Sequence, residues 1–399
     1  MNQDRHDARH DFARDPATWM TYGLVGYFAF METVLGPIMP FLKTELDIGY
    51  TTASLHFSAF ALGAVLLGLF GDRLSARWGR LVSLWGGAFA MSVGVVFLVS
   101  VPSAWATVPA AFVMGLCGAL VLVTSQALLS DRHGEFGAVA VTESNITASA
   151  CAIAAPLLVG AFSAAGLGWR AAFAVPAAAL VLLAFVFLFR PPELPRTTAK
   201  SGDQAAGLSL PPRYWGLWTL VALGVASEWC VAYWGADFLA DGTGLSRPAA
   251  ATSLTAFFVA MLLGRFASSR LARTLPTTLL LASTLGLALV GFPLFWFSPG
   301  SILTLAGLFV TGLGIAGVYP LGVSAAIASV PGNSDAAAAR LAIGGGGAIL
   351  VAPFILGALA DRIGIATAFG IVIPMLLAAL SLALVALRRG RQVSTSPDG

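Results

Sequence analysis

Long apolar stretches follow one another along almost the whole chain, and no other feature constrains its fold as strongly. About a dozen of them are roughly 18–25 residues long, enough for each to cross ~30 Å of hydrocarbon as a helix. The mean hydropathy is +0.85, and only 10% of the residues are charged. Because backbone groups without partners are costly in lipid, such stretches favour helices. The sequence therefore predicts an all-α integral membrane protein.

Twelve transmembrane helices can be drawn, six on either side of a polar segment at 190–213. The first six are Thr18–Leu42, Thr52–Gly71, Leu81–Val101, Ala106–Ser130, Ala138–Ala164 and Trp169–Phe189. The second six are Tyr214–Ala240, Pro248–Arg270, Pro276–Phe297, Ile302–Val330, Ala336–Ala360 and Ala366–Leu387. The polar segment is rich in Pro, Ser, Gly and charge, as linkers are. The predicted organisation is a tail at 1–17, a six-helix bundle at 18–189, the linker at 190–213, a six-helix bundle at 214–387 and a tail at 388–399.

Lysine and arginine are distributed unequally between the two sides of this arrangement. Only four of the 22 lie on one side, and they are Lys43, Arg170, Arg247 and Arg362. Since positively charged loops stay in the cytoplasm, we expect a multi-pass protein of the cytoplasmic (inner) membrane with both termini cytoplasmic. The lipid bilayer is then its main partner. The net charge of +3 follows from the same bias and predicts no nucleic-acid partner.

The two halves repeat at a common offset. Glu32 and Glu228 are 196 residues apart, and so are Gly68 and Gly264. An offset of 197 relates Pro156 to Pro353 and Gly160 to Gly357. Repeats in the same orientation predict two bundles related by a parallel pseudo-two-fold axis along the membrane normal.

The segment GLFGDRLSARWGR, Gly68–Arg80, resembles the loop signature of the major facilitator superfamily, Gly-x-x-x-Asp-Arg followed by Gly-Arg. Gly68, Asp72 and Arg73 match its spacing, while the second part comes four residues late. TESNITASACAIAAPLLVG and GLGIAGVYPLG are similar to segments of sugar-permease-like members. The resemblance implies the twelve-helix fold of two six-helix bundles and a monomer that transports a small-molecule substrate by alternating access.

Other functional classes lack their motifs. The sequence contains no Walker motif, no metal-ligand spacing and no constellation around a nucleophile. We therefore expect neither an enzyme nor a cofactor or metal site.

Glu32 and Glu228 are the candidate proton-coupling residues. Both lie inside apolar spans at matching positions of the two halves, where ionisable side chains are costly and typically functional. Desolvation disfavours the charged form of a carboxyl group, which suits reversible protonation. The alternative is a structural carboxyl group that is hydrogen-bonded across helices.

The substrate is expected to bind between the halves near the bilayer midplane. The candidates beside the two glutamates are Gln126, Asn145, Trp229 and Tyr319. Uncharged amides suit hydroxyl-bearing solutes, whereas carboxylates with aromatic rings suit a cation. Both substrate classes stay open.

A gate is expected at the cytoplasmic ends of the spans. Its candidates are Asp72, Arg73, Glu143, Arg265 and Arg340. The resemblance implies that span 5 packs near span 8 and span 11 near span 2. We therefore expect contacts of Glu143 with Arg265, and of Arg340 or its helix N-terminus with Asp72. Glu143 and Asn145 could instead line the cavity.

These features predict a proton-coupled secondary transporter of a small organic solute, with protons and the solute as its partners. Symport is favoured because Ala155–Gly160 departs from the Gly-Pro-x-x-Gly-Gly signature of drug antiporters. A drug or metabolite efflux antiporter is the alternative. A membrane sensor or scaffold that does not transport remains a third possibility.

Overall fold

The computed structural model describes residues 12–189, 191, 192, 194, 210–298 and 301–394. Most of the predicted linker and both chain ends lie outside these residues. The side chains of Asp72, Ser301, Asp335 and residues 389–394 also lie outside the description.

The first half consists of seven α-helices within the described residues. They are α1 Pro16–Thr33, α2 Leu35–Leu46, α3 Tyr50–Trp78, α4 Arg80–Ser100, α5 Ala104–His133, α6 Gly137–Ala164 and α7 Ala174–Leu188. The predicted first span is two helices, because Pro37 has no N–H to donate to the Thr33 carbonyl. The chain bends there by 42°.

The second half consists of nine α-helices within the described residues. They are α8 Pro212–Asp237, α9 Arg247–Ser253, α10 Thr255–Leu271, α11 Thr277–Phe297, α12 Ser301–Ile315, α13 Val318–Ala328, α14 Ser334–Ile363, α15 Ile365–Ala368 and α16 Val372–Ser394. A π-helical turn, Phe238–Gly242, extends α8.

Ten described segments are long and apolar enough to cross a membrane, or eleven when the bent pair α1–α2 is counted as one span. One of the ten, Ala104–Ala164, is 61 residues long and contains both α5 and α6, which a 3₁₀ turn separates. The protein is therefore an all-helical multi-pass membrane protein.

Packing between the chain halves uses a small set of helices. Helix α3 packs on α14, α6 packs on α9 and α10, and α2 packs on α8. The contacts of α3 with α14, and of α6 with α9 and α10, are those that the resemblance implied for spans 2 and 11 and for spans 5 and 8. The neighbouring spans that the resemblance implied are therefore in contact across the interface.

Small residues allow the two halves to approach closely. A β-carbon on Gly36 would overlap the Ala232 carbonyl oxygen, and one on Gly160 would overlap the Thr252 hydroxyl group. A β-carbon on Gly357, which lies 197 residues after Gly160, would likewise overlap α3 at Tyr50 and Ser54. Backbones in such contact cannot accept a larger residue without moving apart.

The helix ends form two faces of the bundle. Lys43, Tyr50, Arg170 and Asp361 mark one face, because Lys43 lies 2.8 Å from Asp241, Arg170 lies 2.7 Å from Glu45, and the Tyr50 N–H donates to Asp361. We call it the Lys43 face. The other face carries Arg14, Asp131 and Glu143 of the first half, together with the opposite ends of α8 and α14. We call it the terminal face.

Replacing Gly36 with alanine is expected to destabilise the protein by about 1–3 kcal/mol, because overpacking forces the α2 and α8 backbones apart. Gly216→Ala is the matched control, since it is also a helical glycine but has open space around it. Thermal unfolding of the purified protein in detergent checks both variants. Equal midpoints for the two variants would contradict the close packing of α2 on α8.

Candidate functional site

Glu32 and Glu228 lie at the same depth in two helices. Each lies sixteen residues after the proline that begins its helix, Pro16 in α1 and Pro212 in α8, a rise of about 24 Å. One turn beyond them, Gly36 meets the Ala232 backbone. The two carboxyl groups therefore lie beside the same junction of the halves, where they interact electrostatically.

Arg265 is the cation of this junction. Its guanidinium nitrogen Nη2 lies 3.1 Å from the Glu228 carboxylate and donates a hydrogen bond to Oε1. The Glu228 side chain is only 15% exposed, whereas that of Arg265 is 46% exposed. Arg265 also interacts electrostatically with Glu32. Among the described ion pairs, Arg265 thus belongs to Glu228, and its effect on Glu32 is electrostatic only.

Aromatic side chains follow Glu228 along α8. Trp229 lies one helical position from Glu228, and its ring is 4.7 Å from that of Tyr233. Tyr233 in turn stacks on Phe57 of the first half at 4.2 Å and an interplanar angle of 4°. Its buried hydroxyl group forms no hydrogen bond with a described residue, and it interacts electrostatically with Glu32. This donor is available to a carboxyl group or to a substrate.

The remaining candidate substrate residues are placed differently. Tyr319 of α13 is 44% exposed and interacts electrostatically with Glu228, so it belongs to the same site. Gln126 of α5 and Asn145 of α6 are exposed, and neither amide side chain hydrogen-bonds another described residue. The structure thus groups Trp229 and Tyr319 with the glutamates, and their binding role stays a prediction, as does that of the two amides.

The expected contact between Glu143 and Arg265 is wrong for this structure. Arg14, from the segment that leads into α1, forms two hydrogen bonds of 2.5 and 2.7 Å with Glu143, and the Tyr22 hydroxyl donates a third at 3.0 Å. Both partners of Glu143 are close in the fold but more than a hundred residues away in sequence. Arg265 pairs with Glu228 instead.

Hydrogen bonds of Asp15 connect the start of α1 to Arg132 at the end of α5. Asp15 accepts hydrogen bonds from the Thr18 N–H and hydroxyl and from Arg132. Burial raises the pKa of the Asp15 carboxyl group, but these hydrogen bonds outweigh burial and lower the pKa below its ordinary value. The network lies within the first half, so it stiffens that half and does not join it to the other.

The other gate candidates lie on the terminal face. Arg73 is exposed at the end of α3, and Arg340 of α14 is partly buried, with its carbonyl oxygen accepting a hydrogen bond from Trp218. The Asp72 side chain lies outside the described part of the structure, so its contact with Arg340 stays a prediction.

The sequence analysis did not select two charged residues at the Lys43 face, Asp237 and Asp241. Lys43 lies 2.9 Å from Asp237 and 2.8 Å from Asp241, and this cluster joins the two halves. Asp237 stands inside an apolar span as Glu32 does, so the same rule would have selected it.

Two surface crevices lie away from all of these residues. One, of about 580 Å³, lies among α11 and α12 and is lined by Leu289, Val290, Pro293, Leu294, Phe297, Ser298 and Leu303. The other, of about 630 Å³, lies between α6 and α9–α10. Neither contains a charged residue, so we place the functional site at the carboxyl pair.

Known proteins resemble this chain over most of its length. The model of the Major Facilitator Superfamily matches residues 21–301 and 217–399. An uncharacterised MFS-type transporter of Yersinia pestis is 24% identical over 362 residues, which cover 86% of this chain and 88% of that protein.

Solved structures share the fold. An inward-facing, occupied bacterial homolog of the human lysosomal transporter Spinster superimposes with a TM-score of 0.77 at 15% identity, covering 93% of this chain and 96% of that one. The nucleoside transporter NupG gives a TM-score of 0.70 at 16% identity, covering 94% and 98%.

Arg265→Gln is expected to lower the thermal stability of the protein, because it leaves the largely buried Glu228 carboxylate without its partner. We expect a loss of about 1–3 kcal/mol, reduced from the value for a buried pair by the exposure of the guanidinium. Adding Glu228→Gln should recover most of the loss. Arg362→Gln, at an exposed arginine, is the control. Additive losses in the double variant would contradict the pairing.

Proposed function

The chain belongs to the major facilitator superfamily, a family of transporters and not of enzymes, and we propose that this secondary transporter is proton-coupled and moves a small organic solute. The solute binds between the chain halves at Glu32, Glu228 and Arg265. Uptake by symport is the favoured direction. The site works without a cofactor or metal.

The observation that carries this proposal is the charge of the junction. Glu32 and Glu228 carry two carboxyl groups, and Arg265 supplies one guanidinium. With Glu228 paired to Arg265, one negative charge remains at Glu32, at a depth where an uncompensated charge is costly. A proton neutralises it, and release of that proton on the other side couples transport to the proton gradient.

The described contacts support alternating access between two bundles. Glycines related by the repeat, Gly160 and Gly357, both pack against the other half, as two bundles related by a pseudo-two-fold axis require. Separating α5 from α6 and joining α1 to α2 gives the twelve crossings that we propose. Both termini are then cytoplasmic, which makes the Lys43 face the outer face.

We retain the gate at the terminal face as part of the proposal. When that face closes, Asp72, Arg73 and Arg340 approach one another, and Glu143 exchanges Arg14 for a partner on the other half. Ion pairs that break and re-form in this way are a common basis of conformational switching.

A second candidate function is efflux of an organic cation in exchange for protons. One specific observation favours it, which is the excess negative charge among the rings of Trp229, Tyr233 and Tyr319. A planar cation would neutralise Glu32 and stack on these rings. Proton and cation would then compete for one site, as antiport requires.

Glu32→Gln or Glu228→Gln is expected to abolish gradient-driven accumulation while leaving solute exchange at least partly intact, because the amide imitates the protonated carboxyl group. Transport into vesicles with and without a pH gradient measures both. The solute is taken from a thermal-shift screen of sugars, nucleosides, amino acids and cationic drugs.

Glu45→Gln is the matched control for this experiment, because Glu45 is a paired carboxylate at the Lys43 face outside the junction. It should accumulate solute like the wild type. Wild-type accumulation by both junction variants would reject proton coupling at this pair. Binding without any flux would instead favour the non-transporting sensor.

Two further variants separate the substrate classes. For a hydroxyl-bearing solute, tested with uridine, Asn145→Ala should weaken binding by ~1–3 kcal/mol, the usual cost of leaving buried polar groups unpaired. For a planar cation, tested with ethidium, Asn145→Ala should matter little and Glu228→Gln should matter most. Binding is measured by calorimetry on purified protein. If neither variant altered the affinity of a ligand that binds, the site would lie elsewhere.

A further inference from the structure

Between described residues, the ion pairs that join the chain halves all involve Lys43. Among the seven ion pairs between described residues, only Lys43–Asp237 and Lys43–Asp241 connect the first half to the second. They lie at the Lys43 face, at the ends of α2 and α8. Lys43 is therefore the cation of both described ion pairs that close this face, beside the hydrogen bonds of α3 with Asp361 and Asp241.

Asp237 is the unusual member of the cluster. Its side chain is 0% exposed, and that of Lys43 is only 12% exposed. Lys43 donates a hydrogen bond to Asp241 Oδ2, and its Nζ also lies 2.9 Å from Asp237 Oδ1. Among the described residues, Lys43 is the one cation in ion-pair contact with the Asp237 carboxylate, and Arg247 interacts with it electrostatically.

Asp241 is held differently. It is 42% exposed and accepts a second hydrogen bond of 2.7 Å from the Tyr50 hydroxyl, whose ring lies 3.5 Å from Lys43 Nζ. Water can therefore replace Lys43 at Asp241. At Asp237 it cannot, as long as the face stays closed.

We propose that Asp237 is a second proton-binding site, separate from Glu32 and Glu228, and that its protonation releases Lys43 and lets the Lys43 face open. Protonation removes the charge that holds Lys43 to Asp237 in the closed face. An unpaired buried carboxylate is strongly unfavourable, whereas the neutral acid is tolerated. The proton comes from water at this face and bonds to a carboxylate oxygen, and Lys43 keeps its own three protons and becomes hydrated.

The charged and titratable groups that face Asp237 come from five other segments. They are Lys43 of α2, Tyr50 of α3, Asp241 of the π-helical turn, Arg247 of α9 and, through its effect on Lys43, Asp361 of α14. Asp361 accepts hydrogen bonds of 2.7 and 2.8 Å from the backbone N–H groups of Tyr50 and Thr51, so it is occupied by the start of α3. Among the described carboxylates of the cluster, Asp237 is the one that is fully buried.

The inference rests on the alternating access of the proposed function, and the test measures the opening of the face itself. Spin labels are placed at Trp105→Cys in the first half and Ile302→Cys in the second, which are 93% and 83% exposed at this face. Cys117, Cys151 and Cys230 are replaced first. The distance distribution is measured between pH 5.5 and 8.5 without solute, in a Glu32→Gln/Glu228→Gln background that removes titration of the central pair.

In this background, the fraction of molecules with a long distance between the two spin labels should rise as the pH falls. Asp237→Asn should raise the open-to-closed ratio at pH 8 by at least about five-fold, the lower range of coupling between two sites, and remove the pH dependence. Asp241→Asn should change the ratio less, because Lys43 stays paired with Asp237. Arg170→Gln, which breaks the Arg170–Glu45 pair within the first half, should leave the ratio unchanged.

Lys43→Met gives the sharpest outcome, because it should invert the pH dependence. Without Lys43, the closed face contains an unpaired carboxylate at high pH and a neutral acid at low pH, so acid should close it. A pH dependence in Asp237→Asn equal to that of its parent would overturn the proposal, and so would unchanged sign in Lys43→Met. Failure of proton coupling at Glu32 and Glu228 would not affect these distances.

Discussion

A charge inside a bilayer needs a partner, and the distribution of partners organises this protein. Near the centre, Arg265 pairs with Glu228 and interacts electrostatically with Glu32. At the Lys43 face there are again two carboxylates for one cation, since Lys43 pairs with both Asp237 and Asp241. Each cluster has one carboxylate more than its cation balances, and each lies where the chain halves meet. Protons or cationic solutes can therefore act on the packing of the halves through charge balance alone.

Hydrophobic packing sets the distance over which these charges interact. Gly36 lets α2 approach the α8 backbone, and the stack of Phe57 on Tyr233 closes the space next to it. Both contacts lie between the two charge clusters. The cores of the halves thus supply a fixed separation, and the ionisable groups supply the energy difference between open and closed arrangements. Neither component would be sufficient without the other.

The fold was largely predictable from the sequence, and the partners of the charges were not. Apolar runs of membrane length and the loop motif indicated the helices, the family and the neighbouring spans. The 42° bend was missed because hydropathy ignores the missing N–H of Pro37. Glu143 was given the wrong partner, since Arg14 precedes the first span and reaches it only through the fold. Arg265 pairs with Glu228 within its own half and not with Glu143.

The bend at Val34 lets α2 change its angle to α1, and the two charge clusters lie on opposite sides of this bend. Glu32 lies on the α1 side of the bend and Lys43 on the α2 side, so one can move while the other stays in place. Lys43 is eight residues beyond the start of α2, about 12 Å along the helix axis. A change of about 10° in the bend would then carry its α-carbon by about 2 Å, which is enough to part ions now 2.8 and 2.9 Å apart. Because Pro37 cannot donate the backbone hydrogen bond at the bend, the Lys43 face can move while the carboxyl pair stays in place.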